Sequence, residues 1–300
     1  MTTILSLIGE QPIPNLLPIR YLKPRAAILV HSDFTESSAK QLENVIHAQV
    51  EVSFLAVDAY QIDQIQADLK AEISRRNLAA SQMIFNLTGG TKPMSLAALL
   101  VAKELSAPVV YLQSQGKHTR LYSYAFRSDS ATLIEDEVLP GLITADDYLR
   151  AYVSHYAVTG CTESEPGASF ERAIHAILEP VVDELLAGVK LLGALDLDFV
   201  VRCDNQVGII EAKLGSNRLK MAIDQLNTAG GQRYLGTYTQ KFLVSDQSWD
   251  ATRSNLKELA EARRIVVIEM PTYDPQKGEI PAGDAERLRA AICQGLGWDI

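Results

Sequence analysis

The sequence predicts an α/β protein in two halves, each built around its own sheet, and three observations carry that prediction. Apolar runs rich in β-branched residues at 3–8, 26–31, 51–57, 82–87 and 108–113 alternate with helix-like segments, which is the pattern of a doubly wound parallel sheet. From residue 168 the order changes to α-β-β-β-α-β. Between these halves lie two clusters of turn residues, one ending at Pro140-Gly141 and one reading AVTGCTESEPGAS. The expected organisation is therefore a first domain over 1–140, a linker region over 141–167 and a second domain over 168–300.

In chain order, TILSLI, AAILVH, EVSFLAV, QMIFNL and PVVYLQ are the first five strands. LYSYAF, 121–126, closes the first half as part of a hairpin, and SDSATLIEDEVLPG reads as the approach to the linker. A helix is expected over 144–156. FERAIHAILEPVVDELL, 170–186, has the spacing of one long amphipathic helix, followed by strands near 189–195, 198–203 and 207–212, a helix over 216–229 and a strand over 241–245.

Composition bounds the function. A chain of 300 residues with 47% hydrophobic content fills one large core or two ordinary ones. No charged-plus-apolar leader and no apolar stretch of bilayer length is legible, so a cytoplasmic protein with no membrane partner is expected. Cys161, Cys203 and Cys293 are too few and too scattered for a disulfide framework or a zinc site. The formal charge of −9 argues against constitutive wrapping of nucleic acid, although a local basic groove is compatible with it.

The first chemical signal is Asn86-Leu87-Thr88-Gly89-Gly90-Thr91-Lys92-Pro93-Met94, where a parallel strand ends and a helix begins. Pro93 suits the first helical turn, where a missing N–H costs nothing. Glycines let backbone approach a ligand, the first helical N–H groups are unpaired, and the helix dipole favours negative charge there. Lys92 adds a full positive charge, so the turn suits phosphate. The plainer alternative is a tight left-handed turn with a capping threonine. Neither the P-loop nor the dinucleotide fingerprint is present, so neither ATP hydrolysis nor NAD is implied.

Asn-x-Thr-Gly-Gly-Thr-Lys-x-Met resembles the signature of CARF domains, the Rossmann-like sensors of cyclic oligoadenylates in type III CRISPR defence. SLIGEQPIPNLLPI and ILVHSDFT are similar to that family's first and second strand-end loops. The resemblance spans about residues 1–140. It implies a homodimer whose paired loops hold a ring of adenylates, cyclic tetra-adenylate by family likeness. Thr88, Gly89, Gly90, Thr91, Lys92 and Met94 would lie at the ring, with Glu10, Gln11 and Ser32 nearby. A two-fold cyclic phosphodiester suits two copies of one phosphate-binding turn across an isologous interface.

The second signal is ALDLDFVVRCDNQVGIIEAKLG, 194–215. Glu211 and Lys213 stand two apart on one strand and share a face. If the strands pair as a hairpin around Cys203 to Gln206, Asp198 comes near Glu211. Facing carboxylates repel unless a cation joins them, and Mg²⁺ or Mn²⁺ there would polarise a phosphodiester and activate water. Lys213 would orient that water or stabilise developing charge. The alternative is a solvated ion pair on an edge strand. Against it, the apolar GII run before Glu211 marks a buried strand, where an idle carboxylate is costly.

D-x(12)-E-x-K after a helix is similar to the PD-(D/E)xK, restriction-endonuclease-like superfamily, whose core is αβββαβ. The resemblance implies catalytic roles for Asp198, Glu211 and Lys213, with metal held by Asp198 and Glu211. Glu171 resembles the helix-borne glutamate such enzymes add to the site, and equally reads as an acid complementing a helix dipole. Asp196 is a further candidate ligand, and IDQLNTAGGQRYLG resembles the downstream helix that places Gln225 at the rim. The Pro-Asp pair of the superfamily's name motif is lacking at Asp198. The order CARF then PD-(D/E)xK resembles the CRISPR ancillary nucleases, and implies a ring-activated, metal-dependent nuclease cleaving DNA or RNA.

Two rival readings come from other classes. Arg150-Ala-Tyr-Val-Ser-His155 matches R-x4-H of the HEPN ribonucleases, which cleave RNA without metal; such sites sit late in all-helical domains, and residues five apart leave a common helix face. The other is a non-catalytic CARF sensor whose second half binds DNA or a partner. His175 reads as a residue of an amphipathic helix.

Overall fold

Parallel strands need crossovers, and right-handed ones stack helices on both faces of a sheet. The computed structural model, which describes residues 2–115, 118–127, 130–163, 167–215, 218–249 and 254–298, divides the chain into two units. One comprises Met1–Ile143 with Arg150–Tyr152, the other Thr144–Leu149 with Val153–Ile300.

The first unit runs β1 (Thr3–Leu7), α1 (Ile13–Leu22), β2 (Ala26–His31), α2 (Glu36–Ile46), β3 (Glu51–Ala56), α3 (Ile62–Arg75), β4 (Met83–Asn86), α4 (Lys92–Leu105), β5 (Val109–Gln115), β6 (His118–Arg127) and β7 (Ser130–Val138). The seven strands lie in the order β3-β2-β1-β4-β5-β6-β7. The first five are parallel, and β6 and β7 are added antiparallel. The strand order reverses between β1 and β4, the place where open α/β sheets bind ligands beyond their carboxyl ends. Leu5, Leu7, Ile28, Val30 and Phe85 from the strands pack with Ala97, Ala98 and Val101 of α4 in a dry core. The stretch SDSATLIEDEVLPG, expected as the approach to a linker, begins with two residues outside the described ones, and from Ser130 to Val138 it is strand: β7 forms an edge of the sheet and leaves Leu133, Ile134 and Val138 about half exposed beside Glu135, Asp136 and Glu137. Its acidic composition concealed a strand whose partner, β6, supplies the pairing.

The region 141–167 holds α5 (Ala145–Tyr152), opened by a Thr144–Asp147 capping box and lying within the helix expected over 144–156, and a short strand that was not expected, β8 (Tyr156–Val158). The second unit continues with α6 (Gly167–Leu178), β9 (Glu184–Leu191), β10 (Leu195–Cys203), β11 (Gln206–Lys213), α7 (Leu219–Ala229), β12 (Gln240–Ser245), α8 (Ser254–Ala262), β13 (Ile265–Glu269) and α9 (Ala282–Gly295). Its sheet has the order β13-β12-β11-β10-β9-β8, with β11, β12 and β13 parallel and the rest antiparallel. From α6 to β12 the order is α-β-β-β-α-β. The long helix expected over 170–186 is shorter: it ends at Leu178, Pro180 sits in a 3₁₀ turn, and Glu184-Leu185-Leu186 opens β9. Phe170 and Ile174 of α6, Phe199 and Val201 of β10 and Phe242 of β12 anchor this unit's core. Among the described residues no helix is long and apolar enough to cross a membrane.

Candidate functional site

Two arrangements of side chains stand out, one in each unit. In the first unit a cleft of about 630 Å³ opens beyond the carboxyl ends of β1 to β4. Gly9 and Glu10 after β1 and Gly90, Thr91 and Met94 after β4 straddle the reversal of strand order. Ser32 to Thr35 after β2 and Val57 to Tyr60 after β3 form the remaining wall.

The β4–α4 turn is held from beneath by Asn86, which is fully buried. Its side-chain amide donates to Asn15 Oδ1 (3.1 Å) and the Pro14 carbonyl (3.3 Å), and its Oδ1 accepts from Thr88 N (3.1 Å) and Thr88 Oγ1 (2.6 Å). Thr88 Oγ1 also accepts from Leu112 N at 2.8 Å. Thr91 caps α4 by accepting from Met94 N (3.3 Å) and donates its hydroxyl to the Ala59 carbonyl (2.5 Å), tying the turn to the loop after β3. Gly89 lies so close to β1 that a Cβ would sit 2.1 Å from the Leu7 carbonyl oxygen, and Gly90 adopts φ +72°. Replacing Asn86 with alanine strips the turn of its support; the expected cost is about 2–3 kcal/mol of stability, read from denaturant unfolding, together with weakened ligand binding at the cleft.

The residues named from sequence therefore divide. Glu10, Ser32, Gly90, Thr91 and Met94 line the cleft. Thr88 and Gly89 build the turn, as just described, and Lys92 is exposed at the first position of α4. Gln11 turns to α5, its Oε1 accepting from the Tyr152 hydroxyl at 2.9 Å. Asp33 and Phe34, inside the quoted ILVHSDFT loop but not singled out, also line the cleft, as do Asp58 and Tyr60, which were missed and whose signal is their place at the carboxyl end of a parallel strand. Phe34 and Tyr60 are about three-quarters exposed. Backbone N–H groups of Tyr60 and Gln61 donate to Asp58 and hold its carboxyl below the usual aspartate range.

In the second unit the β10–β11 hairpin turns at Cys203 and Gln206 and pairs Phe199 with Ile210, which sets Asp198 beside Glu211. Lys213 reaches both carboxylates, its Nζ lying 2.5 Å from Glu211 Oε1 and 3.5 Å from Asp198 Oδ2. Asp198 Oδ2 also accepts from Ala212 N at 2.7 Å. Gln225 of α7 donates to Glu211 Oε2 at 3.2 Å and to the Asp196 carbonyl. Asp196 itself points its carboxylate to Lys190 at 3.6 Å. Glu171 is buried in the second turn of α6, not at its start, and accepts from Thr162 N at 2.7 Å.

The electrostatics are uneven. Burial, then the Asp198 charge, pushes Glu211 up to about 8, against the Lys213 ammonium. Burial also raises Glu171, and Asp198 adds to that. Burial pulls on Lys213 in the opposite sense, but the Glu211 and Asp198 carboxylates outweigh it and hold the ammonium charged. One lysine thus leaves the carboxylates short of positive charge. Among the described residues no three His, Cys, Asp or Glu side chains come together as a ready-made metal cage.

Arg150 lies on α5, which ends at Tyr152, and His155 stands beyond that end, where its carbonyl accepts from Leu192 N at 3.3 Å. The R-x4-H pair is thus not on one helix, and the unit that holds His155 contains a six-stranded sheet. His175 packs near Phe199, ring centroids 6.3 Å apart, as a helix residue does.

Comparison with known proteins follows the same division. Residues 3–140 match the profile of the Card1 CARF domain. No curated protein matches the sequence. Among solved structures the chain is similar to Can2 from Sulfobacillus thermosulfidooxidans in complex with cyclic tetra-adenylate (TM-score 0.74, 15% identity, 99% of each chain covered). It is similar to protein VC1899 from Vibrio cholerae as well (TM-score 0.75, 14% identity, 99% of each chain). A type III CRISPR defence DNA nuclease activated by cyclic oligoadenylate also matches over 81% of this chain and 45% of that one (TM-score 0.53, 14% identity). Residues 3–140 are therefore a CARF domain, and the chain as a whole shares its fold with Can2 and VC1899.

Proposed function

We propose that this chain is a metal-dependent nuclease of type III CRISPR defence, switched on by a cyclic oligoadenylate, cyclic tetra-adenylate in the first instance, and acting as a homodimer. The observation that carries the reading is Lys213 Nζ reaching both Asp198 and Glu211 inside an α-β-β-β-α-β unit, the order of the PD-(D/E)xK fold. The CARF domain and the cyclic tetra-adenylate bound to the similar Can2 support the sensor half. The DNA nuclease among the similar structures supports the effector half.

The donor set fits a divalent cation. Asp198 and Glu211 offer hard carboxylate oxygens side by side, burial and the Asp198 charge disfavour the Glu211 charge in the absence of a cation, and Mg²⁺ or Mn²⁺ prefers such ligands with water. Asp198 and Glu211 would hold the ion, with Glu171 nearby. When bound, it supplies Lewis-acid polarisation of the scissile phosphate and a more acidic water. Lys213 then serves as the fixed positive charge, orienting the attacking water and stabilising negative charge that develops on phosphoryl oxygens. Gln225 holds Glu211 in place through its amide.

In the sensor half, the β4–α4 turn and Lys92 meet phosphates, while Glu10, Asp33 and Asp58 offer acceptors to adenine amino groups and ribose hydroxyls. Switching requires the ring to bind the active dimer more tightly than the inactive one. With Mn²⁺ present, labelled DNA and RNA strands, single and double, should be cut rapidly with cyclic tetra-adenylate and at least ten-fold more slowly without it. Equal rates in both conditions would remove the switch, and no cutting of any strand would remove the nuclease.

A further inference from the structure

A group of cations in the second unit gathers where α7 ends against the sheet. Lys241, the second residue of β12, pairs in the ladder with Ile265, the residue after Arg264. Its stem lies across Gly230, just past α7, where a Cβ would stand 2.8 Å from Lys241 Cδ. Arg263 reaches back to Asp224 of α7. Lys241 is partly buried, and burial first, then the Arg264 and Arg263 charges, lowers its affinity for a proton. Three positive charges thus crowd one place, with Asp224 the acid that Arg263 engages.

Such crowding costs stability unless an anion from outside completes it. The dipole at the end of α7 offers about half a charge, less than the surplus. Arg264 adds a second sign. It holds φ +55° just beyond α8, a left-handed position that glycine fills without strain and a side chain with a Cβ does not. Arg264 shares positive φ with six other described non-glycine residues, and among the seven it is the one whose charge meets Lys241.

Asp224 and Gln225 are consecutive on α7, and Gln225 is the residue that touches Glu211. Gly230 is five residues further on, roughly 7.5 Å along the helix axis. We propose that Lys241, Arg263 and Arg264 form a phosphate-binding site for a nucleic-acid backbone, holding a strand along α7 so that a neighbouring phosphodiester reaches the Asp198–Glu211–Lys213 cluster. The inference rests on the nuclease reading for the role of that cluster.

The test measures binding without cleavage. Full-length protein in EDTA with cyclic tetra-adenylate is titrated against fluorescein-labelled 20-nucleotide single-stranded DNA, the same sequence as RNA, and the DNA duplex, across a range of salt. Arg264→Gly should weaken binding about 3–10-fold and lower the salt slope by about 0.7 to 0.9, while raising the melting temperature because the left-handed strain is relieved. Adding Lys241→Gln should lower the slope again by a similar amount. The three probes distinguish RNA from DNA and single from double strands as the source of the phosphates. The proposal is overturned if Arg264→Gly melts higher yet binds with unchanged affinity and slope, or if the unaltered protein binds none of the probes. Charge-dependent binding by a protein that never cleaves would count against the nuclease chemistry alone; cleavage without this charge dependence would count against the phosphate site alone.

Discussion

Glu211→Gln is expected to abolish cleavage, by on the order of 10³-fold, and at the same time to make the metal-free protein more stable at pH 8. Both effects have one cause. Glu211 is about 1% exposed, and burial with the neighbouring Asp198 charge carries its carboxyl from near 4.5 up to about 8. Between those two values the folded protein keeps a proton that the unfolded chain has released, so stability falls as pH rises from about 4.5 to about 8 and levels off above. A neutral amide of the same shape removes that slope. Lys213 keeps Asp198 as a partner, so the expected gain at pH 8 is on the order of 2 kcal/mol, several degrees in melting temperature. In the unaltered protein Mn²⁺ should recover that stability at pH 8; in the variant it should recover little. A variant that is inactive but melts lower than wild type across this range, with the same pH slope, would contradict the charge-strained carboxylate.

Gly89→Ala should be the most damaging single methyl group in the CARF domain. The new Cβ would meet the Leu7 carbonyl oxygen at 2.1 Å and Asn15 Nδ2 at 2.9 Å. The first of these is backbone at the end of β1, which is paired on both sides by β2 and β4, so it has little room to give. Overpacking of this kind costs about 1–3 kcal/mol or more. Relief by displacement moves the turn that carries Gly90 and Thr91, so calorimetric titration with cyclic tetra-adenylate should show affinity falling at least ten-fold. Basal cleavage without ring should persist in whatever fraction remains folded. Unchanged ring affinity in a stable variant would mean that the turn tolerates the shift and that Gly89 is not what shapes it.

The same two stretches show what a sequence can convey. Alternating apolar runs located the parallel strands of the first sheet to within a few residues, because strands buried on both faces read as continuous hydrophobic segments. The Cys203–Gln206 turn and the spacing of Glu211 from Lys213 sufficed to bring Asp198, Glu211 and Lys213 together, since strand periodicity is strict. What stayed hidden depends on non-local partners. β7 is polar and acidic, and β6 beside it makes it a strand. Pro180 divides what helical periodicity joined. Asp58 and Tyr60 carry no motif, and the folding of the sheet brings their loop to the same cleft as Asp33. Thr88 and Gly89 were legible as important but not as framework: their partners, Leu112 and Leu7, lie far away in sequence.

β7 carries a consequence for handling the protein. A long strand at the rim of a sheet, with Leu133, Ile134 and Val138 exposed, offers free backbone groups to any neighbour that can align with them. Glu135, Asp136 and Glu137 are the deterrent, because like copies meeting there repel. Replacing those three with neutral residues would remove the deterrent and leave one molecule's rim able to zip onto the next.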